Sequence, residues 1–107
     1  MARVIWSPEA LAQLRHIVEY VQLFDPAAAR SFSERLFALG ESLADFPRRG
    51  RPAANGTREL VTVRPYILRY HVEPEEREEV DEAAEDGGAD EEVSILGIRH
   101  AAQLADD

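Results

Sequence analysis

The stretch that decides the fold is RELVTVRPYILRYHV, residues 58–72. Two short apolar runs, Leu60–Val63 and Tyr66–Val72, flank Arg64-Pro65. Both are rich in the β-branched and aromatic residues that suit a pleated, half-buried surface. Because alternate side chains of a strand point to opposite faces, Tyr66, Leu68, Tyr70 and Val72 share one face and Ile67, Arg69 and His71 the other. In the first run Leu60, Thr62 and Arg64 alternate against Glu59, Val61 and Val63. The pattern predicts an antiparallel pair with one face on a core and the other carrying charge.

Working outward, Arg3–Trp6 reads as an opening strand. Ser7-Pro8-Glu9 is a helix start: a capping hydroxyl, a proline suited to the first turn, and a carboxylate at the positive end of the dipole. Leu11, Leu14, Val18 and Val21, widened by Ile17, predict a helix ending near Phe24. Asp25-Pro26 starts a second helix, whose stripe is Phe32, Leu36, Leu39 and Leu43 and which ends at Phe46-Pro47. The tight connection implies an antiparallel hairpin. Gly40 inside that helix costs about 1 kcal/mol against alanine. Arg48-Arg49-Gly50-Arg51-Pro52 and Ala53-Ala54-Asn55-Gly56 read as an irregular connection. Val93–Ile98 reads as a last strand, apolar on both faces at Ile95-Leu96 and therefore central and doubly covered.

Charge is unevenly divided. The formal net charge of -9 is set by residues 73–92, which hold 12 of the 21 acidic side chains and one arginine. Residues 1–72 hold 10 arginines against 7 carboxylates, a net of +3. The whole is read as one domain, residues 1–107, with an acidic loop insertion at about 73–92. A transient helix over 74–86 is compatible with the insertion, although so many like charges favour disorder. It reads either as a solubilising loop or as a segment that shields the arginine face. All 12 basic residues are arginine, which suits bidentate recognition of carboxylate or phosphate but also follows from codon bias. There is no cysteine, so thiolate metal sites and disulfides are excluded. No phosphate-loop, dinucleotide or zinc signature occurs, and no cofactor is expected. The lack of cysteine suits the cytoplasm, the expected location, and the first apolar run is too short for a signal peptide's apolar region or a membrane span.

Several segments together resemble the ParE/RelE family of toxins from type II toxin–antitoxin systems, the ParE branch most closely. They are Val4–Ala10, Asp25–Ala29, Phe46–Pro52, Arg58–Leu60, Pro65–Tyr70 and Ile98–Ala101. The resemblance implies an α+β fold: a strand, a two-helix antiparallel hairpin, then a three-stranded antiparallel sheet. It implies a cognate ParD-like antitoxin of the ribbon-helix-helix type, contact with operator DNA only through that antitoxin, and a groove beside the hairpin as the antitoxin contact. For the ParE branch it implies inhibition of DNA gyrase by binding, and for the RelE branch ribosome-dependent cleavage of messenger RNA. A member that binds its antitoxin without poisoning anything is a third reading.

Two groups of residues are candidates. For RNA cleavage, His100 supplies acid or base chemistry, and Arg64, Arg69 and Arg99 offset phosphorane charge. His100 and Arg69 match catalytic positions of some RelE-branch toxins. The chain departs from that branch in having no lysine and no tyrosine after Arg99-His100. For target or antitoxin binding the candidates are Arg48, Arg49, Arg51, Arg58, Tyr66, Arg69 and Arg99. The bland readings stand beside these: Arg69 and Arg99 pair with carboxylates such as Glu59, the loop arginines pair locally, and Tyr66 and Tyr70 pack in the core.

Overall fold

A computed structural model describes residues 1–61, 64–74 and 91–101. Its elements are β1 (Arg3–Trp6), α1 (Pro8–Gln22), α2 (Pro26–Glu41), β2 (Arg51–Pro52), β3 (Arg58–Leu60), β4 (Tyr66–Glu73) and β5 (Glu92–His100). One five-stranded sheet has the order β1-β5-β4-β3-β2. β1 runs parallel to β5, and the other pairs are antiparallel. The expected α+β arrangement of strand, helical hairpin and antiparallel sheet is present. The opening strand belongs to the same sheet, and a two-residue strand forms within the connection read as irregular. The shielding segment and the 74–86 helix lie almost wholly outside the described residues.

Both helix starts are capped as the sequence predicts. Ser7 Oγ accepts from the Ala10 amide at 3.0 Å, and Asp25 Oδ1 accepts from the Ala28 amide at 3.1 Å. Each such cap stabilises by about 1 kcal/mol. α1 ends at Gln22, and α2 gives way to a 3-10 turn over Ser42–Ala44. Ala10 and Leu14 of α1, Leu36 of α2 and Leu43 of that turn are buried against the sheet, with Ile17, Val18, Phe32 and Leu39 packed beside them. Leu11 is a correction: it stays about half exposed, because the buried face of α1 centres on Ala10 and Leu14. Gly40 also finds its reason. A Cβ there would lie 2.4 Å from the indole of Trp6, so glycine is what lets that ring lie on the helix. The indole stacks on Phe37 at 5.4 Å and donates from Nε1 to Glu41 at 3.1 Å.

The quoted stretch pairs as predicted, with shifted bounds. β3 covers Arg58–Leu60, not Leu60–Val63, and its register is Arg58↔Tyr70, Glu59↔Arg69, Leu60↔Leu68. The Leu60–Val63 run mixes β propensity with the approach to Arg64-Pro65, and Val61 already lies off the ladder. Thr62 and Val63 lie outside the described residues. The helix-side face holds Leu60, Leu68, Tyr70, Val72, Val93, Ile95 and Ile98, all buried, with Tyr66 half-buried. Ile67 departs from the pattern. It lies on the opposite face yet is buried, in register beside Arg99, whose aliphatic stem can cover apolar area.

β5 is central but not doubly covered by helices, which corrects the reading of Ile95-Leu96. Between Arg69↔Gly97 and Tyr70↔Ile95 the ladder slips by one residue, so Leu96 is an extra residue of a bulge. Beyond Ile95, β5 also loses β1 as a neighbour. α1 takes over that edge. The Ser7 amide donates to the Ile95 carbonyl at 3.0 Å, and Ser7 Oγ to the Leu96 carbonyl at 3.3 Å. Gln13 Oε1 accepts from the Ile98 amide at 2.8 Å. A helix side chain thereby satisfies a backbone donor that the sheet leaves over.

Candidate functional site

The sheet has one face under the helices and one open face, and the candidate residues divide between them. On the open face the register sets Arg51 of β2, Glu59 of β3 and Arg69 of β4 side by side, with Arg99 on β5 beyond Ile67. Glu59 is the centre of this group. Its Oε1 accepts from Arg51 at 3.2 Å and its Oε2 from Arg99 at 2.7 Å, and its side chain is only 10% exposed. The guanidinium forks of two strands thus converge on one carboxylate, an arrangement stronger than a single exposed pair. The Nε–H of Arg99 is buried and has no acceptor among the described residues. Arg64 and Arg69 are exposed and make no ion pair among the described residues.

The arginines before β2 behave differently. Pro47 and Gly50 are buried because Tyr70 holds this loop to the sheet: its hydroxyl donates to the Pro47 carbonyl at 2.7 Å and accepts from the Gly50 amide at 2.9 Å. Arg58 donates to the Gly50 carbonyl at 2.8 Å and the Arg48 carbonyl at 3.3 Å. Arg48 turns to the base of the acidic insertion, pairing with buried Glu91 at 2.7 Å and donating to the Pro74 carbonyl at 2.7 Å. Arg49 donates to Ser42 Oγ at 2.9 Å. Four arginines that the sequence offers as a docking surface are therefore tied into the chain's own contacts, although Arg49 and Arg51 stay exposed, the Arg51 side chain at 59%.

On the other side, a groove of about 600 Å³ runs between α1 and the sheet. Glu9, Gln13, His16, Ile17 and Tyr20 line it from the helix, and Tyr66, Ile98, Arg99 and His100 from the sheet. His100 packs edge-on against Tyr66 at 5.3 Å, and Tyr66 in turn meets Phe32 at 5.1 Å. A second depression of about 400 Å³ holds Arg69 and Arg99 with Ser7, Glu9 and Gln13. So Arg99 lines both depressions, sharing one with Arg69 and the groove with His100 and Tyr66, and Arg69 does not line the groove. Arg64 lines neither.

Gln13, His16 and Tyr20 are not among the residues that the sequence marks as candidates, and Glu9 is marked only as a helix-start carboxylate. Their signal was present: the spacing 4, 3, 4 places them on one stripe of α1, beside the apolar stripe that took the attention. Among the described residues no cluster of His, Asp and Glu could hold a metal ion.

A family model described as the ParE toxin of the type II toxin–antitoxin system parDE matches residues 4–105. The chain is 42% identical over 104 residues to a Caulobacter vibrioides protein named toxin RelE2, covering 97% of this chain and 100% of the relative. It is 32% identical over 103 residues to the putative toxin Y4kP of Sinorhizobium fredii, covering 94% and 90% respectively. Among solved structures, a chain of the chromosomal ParDE TA system from P. aeruginosa matches with a TM-score of 0.69 at 21% identity, over 94% of this chain and 96% of that one. At that identity the likeness speaks for the fold.

Proposed function

The chain belongs to the ParE toxin family of type II toxin–antitoxin systems, and from that premise we propose that it inhibits DNA gyrase by binding and is neutralised in the cytoplasm by a cognate ParD-like antitoxin. The observation that carries the reading is the match to the ParE toxin model across residues 4–105. The site geometry supports a binding poison over a nuclease. General acid–base catalysis needs the proton-transfer group and the charge-stabilising cations around one reacting phosphate. Here Arg99 lines the groove beside His100 but its charge is met by Glu59, and Arg69 lines only the second depression.

The groove is the proposed antitoxin contact. Its aromatic and apolar lining by Ile17, Tyr20, Tyr66 and Ile98 suits the apolar face of an amphipathic segment. Arg64 and Arg69 are the proposed target contacts, because among the described residues they are the exposed candidates with neither an ion pair nor a side-chain hydrogen bond, whereas Arg49 is tied to Ser42. Arg51 and Arg99 join them only if Glu59 yields, and Arg48, Arg49 and Arg58 act by shaping the loop. The messenger RNA endonuclease is the second reading, favoured by the shared wall of Arg69 and Arg99.

A supercoiling assay with purified gyrase, run beside a translation assay that maps RNA cuts, separates the readings. Inhibited supercoiling with intact message is the expected result. Message cuts that disappear in His100→Ala and Arg69→Ala, with supercoiling untouched, would establish the nuclease instead. Neither effect would leave a chain that only binds its antitoxin.

A further inference from the structure

We propose that Glu59 is an internal counter-ion that occupies a phosphate-type anion site on the open face of the sheet, and so keeps this face from gripping single-stranded nucleic acid. The argument goes beyond the choice of toxin target and stands on the geometry alone.

Guanidinium groups reach this face from three strands: Arg51 from β2, Arg69 from β4 and Arg99 from β5. Neighbouring strands lie about 4.8 Å apart, so the cations are spread along a line of phosphate-scale reach rather than gathered at one point. Planar guanidinium forks bind phosphate and carboxylate oxygens by the same paired N–H donation. Two of the forks already hold an oxyanion, and it is the chain's own: Glu59 Oε1 with Arg51 at 3.2 Å and Oε2 with Arg99 at 2.7 Å. The hold is incomplete, because the buried Nε–H of Arg99 has no acceptor among the described residues. Glu59 therefore fills the site with a single carboxylate and leaves a donor over. With the carboxylate removed, the face presents three guanidinium groups without an internal ion pair among the described residues in place of one.

The consequence is measurable as a salt dependence. For a single strand, the logarithm of affinity falls with the logarithm of salt by about 0.7 for each phosphate neutralised. One available arginine predicts a slope of about -0.7, and three predict one of about -2.1. The probe is a short fluorescein-labelled homopolymeric RNA, followed by anisotropy with the purified full-length chain between about 50 and 200 mM salt. The expected result is weak, shallow binding by the wild type. Glu59→Gln should bind at least about tenfold tighter at the lowest salt, with the slope steeper by about 1.4. Adding Arg99→Gln to that variant should take back about half of the added slope.

Far-UV circular dichroism checks the fold of each variant. If glutamine does not fold, Glu59→Met fills the same volume without a charge and gives the same readout. A folded uncharged variant that binds no tighter than wild type overturns the proposal. So does a gain that Arg99→Gln leaves intact, since the gain would then come from net charge alone.

Discussion

Tyr70→Phe should loosen the joint on which the arginine loop is built, without removing any of the apolar surface that Tyr70 buries. Tyr70 is 0% exposed, and its ring lies in the core. Its hydroxyl bonds two backbone groups of the loop, the Pro47 carbonyl at 2.7 Å and the Gly50 amide at 2.9 Å. Both residues are buried, so neither group finds water when the hydroxyl is removed. Each orphaned backbone group costs about 1–3 kcal/mol. The gain from replacing a buried hydroxyl by hydrogen, and the carbonyl contacts of Arg58 that still hold the loop, lower the sum. A net loss of about 2–3 kcal/mol follows. For a domain of this size that is a fall in Tm of roughly 10–15 °C.

Urea unfolding of the purified chain, followed by tryptophan fluorescence and circular dichroism, gives the free energy directly. The matched control is Tyr66→Phe. Tyr66 is half-buried, and its hydroxyl has no hydrogen-bond partner among the described residues, so its loss should change stability by under about 0.5 kcal/mol. Gly50→Ala attacks the same joint from the other side. A Cβ there would stand 2.7 Å from the Tyr70 hydroxyl and 2.8 Å from the Glu59 carbonyl, and the latter is backbone that cannot swing away. It should destabilise at least as much as Tyr70→Phe. If Tyr70→Phe moved Tm no further than Tyr66→Phe does, the loop would not depend on that hydroxyl, and the reasoning about the joint would be refuted.

Gly40→Ala should destabilise by about 1–3 kcal/mol, although alanine is the better helix former, because a Cβ 2.4 Å from the Trp6 ring overpacks the contact; as Trp6 is the only tryptophan, a displaced indole should also shift the emission spectrum of the native state. Gln13→Ala should leave the Ile98 amide without its acceptor, lowering stability by about 1 kcal/mol and speeding hydrogen exchange at Ile98 while Val93 keeps its protection. An unchanged exchange rate at Ile98 would mean that α1 does not close that edge of the sheet.

The parts of this molecule legible in its sequence are those written in neighbouring residues. Ser7-Pro8-Glu9 and Asp25-Pro26 announce helix starts because a cap bonds an amide only three positions on. The alternation of Tyr66–Val72 gives the strand and its faces, since one pleated surface sorts its own side chains. What the sequence does not display is pairing at a distance. β1 joins β5 in parallel, Arg3 beside Glu92, and nothing local to either strand specifies the partner. The two-residue β2 is shorter than any periodic signal and forms because β3 lies against it.

Charge is where distance matters most. Read along the chain, the arginines of residues 48–69 form a pool, all equally available to an anionic partner. Folding divides that pool by geometry. Arg58 bonds carbonyls that Tyr70 has fixed in place, Arg48 closes on Glu91, and Glu59 draws in Arg51 from eight residues away and Arg99 from forty. A guanidinium whose charge is met inside the fold adds little to the field seen by a partner at physiological salt, where the screening length is about 8 Å. Within that pool Arg49, Arg64 and Arg69 are left as the exposed arginines with no ion pair among the described residues, and under the proposal above a single carboxylate, Glu59, keeps Arg51 and Arg99 from joining them.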